Sequence, residues 1–149
     1  MEAELRTLAA RPDVAGRIHV LKAVSPEVLD RWVAGADVGL MPNQHETLNE
    51  YVSTPNKLFE SIGVGTPVVS SDFPERRRII LDGPEGPLGA LCNPSDPADI
   101  ARAIVEVIGG TPAEREAYRS RCRAAALARW NWDAQVATLV QLYGDLDPA

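Results

Sequence analysis

The residues of this chain with the clearest chemical use are Thr54, Asn56, Lys57 and Glu60. They stand together in the run Ser53-Thr54-Pro55-Asn56-Lys57-Leu58-Phe59-Glu60-Ser61-Ile62-Gly63-Val64-Gly65. Thr54 suits a helix N-cap, and Pro55 suits the first helical position, where a missing N–H costs nothing. A helix that starts there offers free backbone N–H groups and the positive end of its dipole, both of which favour an anion. Lys57 adds a full positive charge beside them. Glu60 follows six residues after Thr54, roughly 9 Å along a helix axis at about 1.5 Å per residue. That is about the reach from the phosphates of a nucleoside diphosphate to its ribose hydroxyls, for which a carboxylate is a natural acceptor. Taken singly, Lys57 or Glu60 reads more simply as half of a solvated i,i+3 pair.

The surrounding pattern supplies elements to position them. At about 100° per residue Leu58, Phe59 and Ile62 fall on one helix face and Asn56, Lys57 and Glu60 on the other. Gly65 can take the left-handed conformation that ends a helix, and Pro67-Val68-Val69-Ser70 follows as a short β-branched strand. Upstream, 2–10 reads as a helix with Leu5, Leu8 and Ala9 at helical spacing, and 18–21 as a strand in which His19 is half-buried. Ser25-Pro26 opens a helix with a buried stripe of Val28, Leu29, Trp32 and Val33. A strand at 37–41 ends at Pro42. The connection from there to Thr54 exceeds the roughly 2–6 residues usual for such a unit, which calls for a functional hypothesis.

Downstream, a polar turn at 71–74 precedes Glu75-Arg76-Arg77-Arg78-Ile79-Ile80. One helical turn cannot aim three arginines at one ligand, so a solvated face with one inward arginine is expected. A turn-rich loop at 82–87 leads to a small strand at 89–92, and Asn93-Pro94-Ser95-Asp96-Pro97 opens a helix facing inward through Ile100, Ile104, Val107 and Ile108. Thr111-Pro112-Ala113-Glu114 is a capping box for a helix through about Ala128. Trp130-Asn131-Trp132-Asp133 starts the last helix, with a stripe of Val136, Leu139, Val140 and Tyr143. Strands alternate with helices, which predicts an α/β fold: a Rossmann-like parallel sheet with helices on both faces. In such a sheet the loops after the strands share the ligand-binding edge. Here they are 22–25, 42–54, 71–75 and 93–96. The long loop and the anion-ready helix belong to one connection, which raises Lys57 and Glu60 above the solvated-pair reading.

Composition sets the frame. The 149 residues suit one domain, assigned to 1–144 with a frayed tail at 145–149. With 45% apolar and 24% charged residues the chain is globular. A net charge of −6 argues against nucleic-acid or acidic-membrane partners, so any phosphate must be held locally. Cys92 and Cys122 lie far apart and outside metal-ligand spacing, which points to small core residues in a reduced, cytoplasmic setting. No secretory leader or membrane-spanning run is visible. No metal and no tightly bound cofactor is expected. There is no glycine-rich phosphate fingerprint and no Cys-His or Ser-His constellation.

From Ile18 through Pro55-Asn56-Lys57-Leu58-Phe59-Glu60, Gly65-Thr66-Pro67-Val68-Val69 and Asn93-Pro94-Ser95-Asp96 to Trp132, the order and spacing resemble the C-terminal domain of retaining glycosyltransferases with the GT-B fold, of the group 1 type. The resemblance covers nearly the whole chain. It implies that Glu60 matches the glutamate on the ribose hydroxyls of a nucleotide sugar, and that Thr54, Asn56 and Lys57 match the segment approaching the diphosphate and donor sugar. Lys57 is then the candidate catalytic group, stabilising the leaving diphosphate. The segment 21–24 matches the region near the base. Asn93-Pro94-Ser95-Asp96 matches the family's P-x-D turn, and the last helix matches one that crosses back toward the other domain. Many members carry another glutamate eight positions before the ribose one; this chain has Val52 there, and Glu46 and Glu50 are the candidates for that space.

The same resemblance implies parts that this sequence does not contain: an N-terminal acceptor-binding domain, and the opening strand and glycine-rich turn of the C-terminal domain with its basic residues. The expectation is therefore the nucleotide-sugar-binding half of a retaining glycosyltransferase, inactive without its N-terminal half or a partner chain. The alternative is a non-catalytic protein-interaction module derived from a truncated or split enzyme, with an exposed sheet edge that needs covering.

Overall fold

The computed structural model describes residues 2–146. Its centre is a parallel sheet of β1 (Gly39–Met41), β2 (Val68–Ser71) and β3 (Gly89–Cys92), in that order. Leu40 stands beside Val69, and Val69 beside Ala90. Parallel neighbours need crossovers, and helices supply them. Between β1 and β2 lie α3 (Leu48–Val52) and α4 (Asn56–Gly63); between β2 and β3 lies α5 (Pro74–Ile80). Helices α1 (Glu2–Ala9) and α2 (Pro26–Ala34) precede the sheet, and α6 (Pro97–Ile108), α7 (Pro112–Ala128) and α8 (Trp132–Leu146) follow it.

Every residue of the central strand β2 is buried, as a parallel strand covered on both faces requires. Its alternating side chains divide the core in two. Val68 joins Met41, Leu58, Ile62, Ile79, Ile80 and Cys122 under α4, α5 and α7. Val69 joins Ala90, Cys92, Ala103 and Val107 under α6. The expected α/β architecture is present, with helices on both faces. Gly65 and Gly89 are among the glycines that the geometry requires. Gly65 has φ +82°, the left-handed turn that ends α4's connection to β2. A Cβ on Gly89 would lie 1.8 Å from the Val68 carbonyl oxygen, so only hydrogen fits where β3 meets β2.

The structure departs from expectation where a partner layer is missing. Segment 18–21 forms no strand, and Ile18 and Leu21 are exposed. Among the described residues no strand flanks the free side of β1, so this segment has no ladder to satisfy its N–H and C=O groups. The α2 stripe is only partly covered: Val28 and Val33 are half-buried, whereas Leu29 and Trp32 are exposed. In α8, Val136, Leu139, Val140 and Tyr143 are all exposed. An amphipathic face is buried only when another element crosses it, and none does so here among the described residues.

One boundary also differs. Pro55, not Thr54, is the N-cap of α4: its ψ of 144° is still extended, and its carbonyl accepts the first helical bond, from Leu58 N at 2.9 Å. Thr54 therefore stands one residue outside the cap. Helix α8 continues through Leu146, and most of the expected tail, 147–149, lies outside the described residues.

Candidate functional site at the C-terminal edge of the sheet

The edge is built from side chains that tie three strand ends together. At the end of β1 the Met41 carbonyl accepts a hydrogen bond from Arg76 Nη1 at 3.2 Å, and the same nitrogen reaches Ser70 Oγ at 3.3 Å. Ser71 Oγ donates to the Asn43 carbonyl at 2.5 Å. Buried groups of β2 and α5 thus pin the start of the long connection. Within it, Thr47 and Glu50 form a reciprocal capping box that folds α3. This helix was missed by the sequence reading, although Thr47-Leu48-Asn49-Glu50 carries the signature of such a box. The rings of His45, Tyr51 and Phe73 then meet at centroid distances of 5.0, 5.1 and 5.2 Å, which seats α3 against the β2–α5 turn.

One arginine of the triplet points inward, as the sequence predicts. Arg76 is 3% exposed and stacks over Phe73 at 4.8 Å. Its Nε has no partner, and burial pushes its pKa down. Arg77 pairs with Asp72 and Arg78 with Glu75. Arg76 serves carbonyl and hydroxyl oxygens of the fold, so the triplet is no phosphate patch.

Helix α4 separates its two faces as the pattern predicts. Leu58 and Ile62 are fully buried, and Phe59 packs on Trp130 at 5.5 Å. Asn56, Lys57 and Glu60 are exposed, and Thr54 is half-buried. Ser61 Oγ donates back to the Lys57 carbonyl at 2.7 Å. A Cβ on Gly39 would fall 2.7 Å from that hydroxyl, so glycine lets α4 sit close on β1. Because α4 crosses back between parallel strands, its N-terminus lies on the C-terminal edge of the sheet. The Lys57 ammonium and the Glu60 carboxylate make no ion pair with each other or with any other described residue. The simpler i,i+3 pairing is therefore not formed. Some exposed charges elsewhere do pair, Arg102 for instance with both Asp99 and Glu106.

The candidates for a second carboxylate fare differently. Glu50 accepts from the Glu46 and Thr47 N–H groups at 2.9 and 3.0 Å and from the Thr47 hydroxyl at 3.1 Å. These bonds hold it below the usual carboxylate range and commit it to the cap. Glu46 supplies only a backbone N–H to that arrangement. Val52 is 45% exposed.

After β3, Asp96 caps α6 by accepting from Ala98 N at 2.9 Å. Asn93 Oδ1 accepts from Ser95 N at 3.0 Å, and Asp99 accepts from Asn93 N at 2.7 Å. Arg102 and the Asn93 N–H hold Asp99 below its usual range. The cysteines are unpaired and buried. Burial pushes the Cys122 thiol up to about 12, an inert core group. Among the described residues no group of three or more His, Cys, Asp or Glu side chains could hold a metal ion. No helix of the described residues is long and apolar enough to cross a membrane.

The family model of the glycosyl transferases group 1 matches residues 1–110. A D-inositol 3-phosphate glycosyltransferase of Geodermatophilus obscurus is 31% identical over 140 residues, covering 94% of this chain and 28% of that protein. A protein of the same name from a Nocardioides species is 27% identical over 129 residues, covering 85% of this chain and 25% of its own. The chain thus spans about a quarter of the length of these relatives. Among solved structures, the sucrose-phosphate synthase of Thermosynechococcus elongatus superposes with a TM-score of 0.76 at 23% identity, over 97% of this chain and 34% of that one. That similarity assigns the fold: a Rossmann-like half of a GT-B architecture.

Proposed function

We propose that this chain, which belongs to the glycosyl transferases group 1 family, is the nucleotide-diphosphosugar-binding half of a retaining glycosyltransferase. It transfers sugar only together with an N-terminal acceptor-binding half or a partner chain, and its setting is cytoplasmic. The observation that carries this reading is the state of Lys57 and Glu60: exposed, with an ammonium and a carboxylate bonded to no described residue, and on a helix that starts at the C-terminal edge of a parallel sheet.

Breaking a glycosidic bond to a diphosphate leaves negative charge on the departing phosphate, and fixed dipoles and cations aimed there lower the barrier. The free N–H groups at the start of α4 and the Lys57 ammonium would supply part of that stabilisation, beside Thr54 and Asn56. Glu60, one turn further on, would accept hydrogen bonds from the ribose hydroxyls and fix the nucleotide's register. With a net charge of −6, the chain has no global field to draw an anion, so the local arrangement must do so. Titration of the folded chain with uridine, guanosine and adenosine diphosphates tests the reading. Saturable binding of at least one is expected, and no binding of any contradicts it.

A second reading is favoured by one observation. The apolar stripe of α8, from Trp132 at 83% exposure to Tyr143 at 66%, lies open and suits a non-catalytic interaction module. An obligate dimer by light scattering, with no response to nucleotide, would support that module over the transferase half.

A further inference from the structure

Beside the ends of β2 and β3 the sheet edge carries a depression of about 380 Å³. Its volume lies within the roughly 300–1,000 Å³ of small-molecule sites. It shares no lining residue with the Thr54 to Glu60 stretch. Part of its wall is aromatic, from His45, Tyr51 and Phe73; the polar lining includes Asp72, Asn93 and Ser95.

This wall is built before any ligand arrives. Phe73 is 4% exposed and is held by both other rings and by Arg76. The Asp72 backbone N–H bonds to the Cys92 carbonyl at 3.0 Å, joining the two strand ends. Arg77 orients the Asp72 carboxylate through both oxygens, with Nε 2.8 Å from Oδ1 and Nη2 on Oδ2. Each carboxylate oxygen keeps a lone pair for another donor. Asn93 Oδ1 is taken by Ser95 N, whereas its amide NH₂ and the hydroxyls of Tyr51 and Ser95 bond to no described residue. The site therefore offers oriented acceptors, free donors and an aromatic surface together.

We propose that this depression binds one ring of a neutral, hydroxyl-rich carbohydrate, with its C–H face on Tyr51 and His45 and its hydroxyls on Asp72 and Asn93. An anion is disfavoured by the Asp72 carboxylate, whose cation Arg77 is already engaged. A purely apolar ligand would strip water from Asp72 and Asn93 without replacing its bonds. A sugar ring satisfies both walls. The inference does not depend on nucleotide binding at α4.

The test is an NMR titration of the isotope-labelled chain with methyl α-glucopyranoside and methyl α-mannopyranoside, with glucuronate as the anionic counterpart. At least one neutral glycoside should shift the His45 and Tyr51 ring signals and the Asn93 and Ser95 amide signals saturably. Tyr51→Ala should weaken that binding about tenfold. Asn93→Asp should do the same, because it keeps an acceptor for Ser95 N and replaces the NH₂ donors with a second carboxylate. The proposal is overturned if neither glycoside moves these signals saturably, if glucuronate binds as well as the glycosides, or if both variants bind as the parent does. A nucleoside diphosphate titration on the same sample reads signals of α4 instead, so failure at one site is separable from failure at the other.

Discussion

Lys57 and Glu60 stand one turn apart on the exposed face of α4, yet they are assigned different tasks and should fail differently. Lys57→Ala should weaken a nucleoside diphosphate while leaving the bare nucleoside almost unaffected, and the loss should shrink as salt is raised. Calorimetry of both ligands at two ionic strengths checks this; equal losses for both would separate Lys57 from the diphosphate. The division of α4 into a buried Leu58–Ile62 face and a polar one was legible from helical spacing alone. So was the single inward arginine, because one turn cannot aim three side chains the same way. What spacing could not show is which arginine turns in. Arg76 does so because its position on α5 faces the Met41 carbonyl and the Phe73 ring. That buried guanidinium has no carboxylate partner, so Arg76→Ala should cost stability mainly through the oxygens it leaves unpaired, about 1–3 kcal/mol, measured by urea unfolding.

At the scale of elements, caps and glycines set the boundaries. Thr111 accepts from Glu114 N and Glu114 bonds back to the Thr111 N–H, closing the box at the start of α7. Thr111→Ala should lower unfolding stability by about 1 kcal/mol, and an unchanged urea midpoint would contradict the cap. Gly89→Ala should be far worse, because its methyl would meet the Val68 carbonyl and force β2 from β3. Acid provides a further check. Glu50, Asp99 and Glu114 are all held below their ordinary values of 4.5, 3.8 and 4.5, by the Glu46 N–H, Arg102 and the Thr111 hydroxyl first in turn. A depressed folded pKa contributes stability that is fully present above the unfolded value and lost as pH falls through the folded one. Unfolding midpoints should therefore hold steady down to about pH 5 and decline below the ordinary carboxylate values. In Glu114→Gln, which keeps a capping acceptor, the decline should be shallower. The Thr111 box was visible in the sequence, and so was its twin at Thr47. The second does not announce a helix by itself, because five residues leave no hydrophobic periodicity to accompany the cap.

For the whole molecule, the parallel sheet and its two covered faces were legible in the sequence, since strand and helix patterns alternate through it, whereas the order of the strands was not. It overstated burial at both ends of the chain. The stripes of α2 and α8 and the apolar segment 18–21 are real patterns, but periodicity records only that a face is suited to burial. Whether a layer lies across it depends on neighbours, and those described here leave Trp32, Leu139 and Tyr143 in the open. The proposed missing half would cover such surface. The central claim is narrower, that α4 reads a nucleoside diphosphate from phosphate to ribose. It is tested most directly by comparing ribo- and 2′-deoxyribonucleoside diphosphates on the parent chain and on Glu60→Ala by calorimetry. The parent should prefer the ribose form, and Glu60→Ala should lose roughly ten- to hundredfold in affinity for it, together with the preference. Equal binding of the two ligands by the parent, or an unchanged preference in Glu60→Ala, would contradict the account.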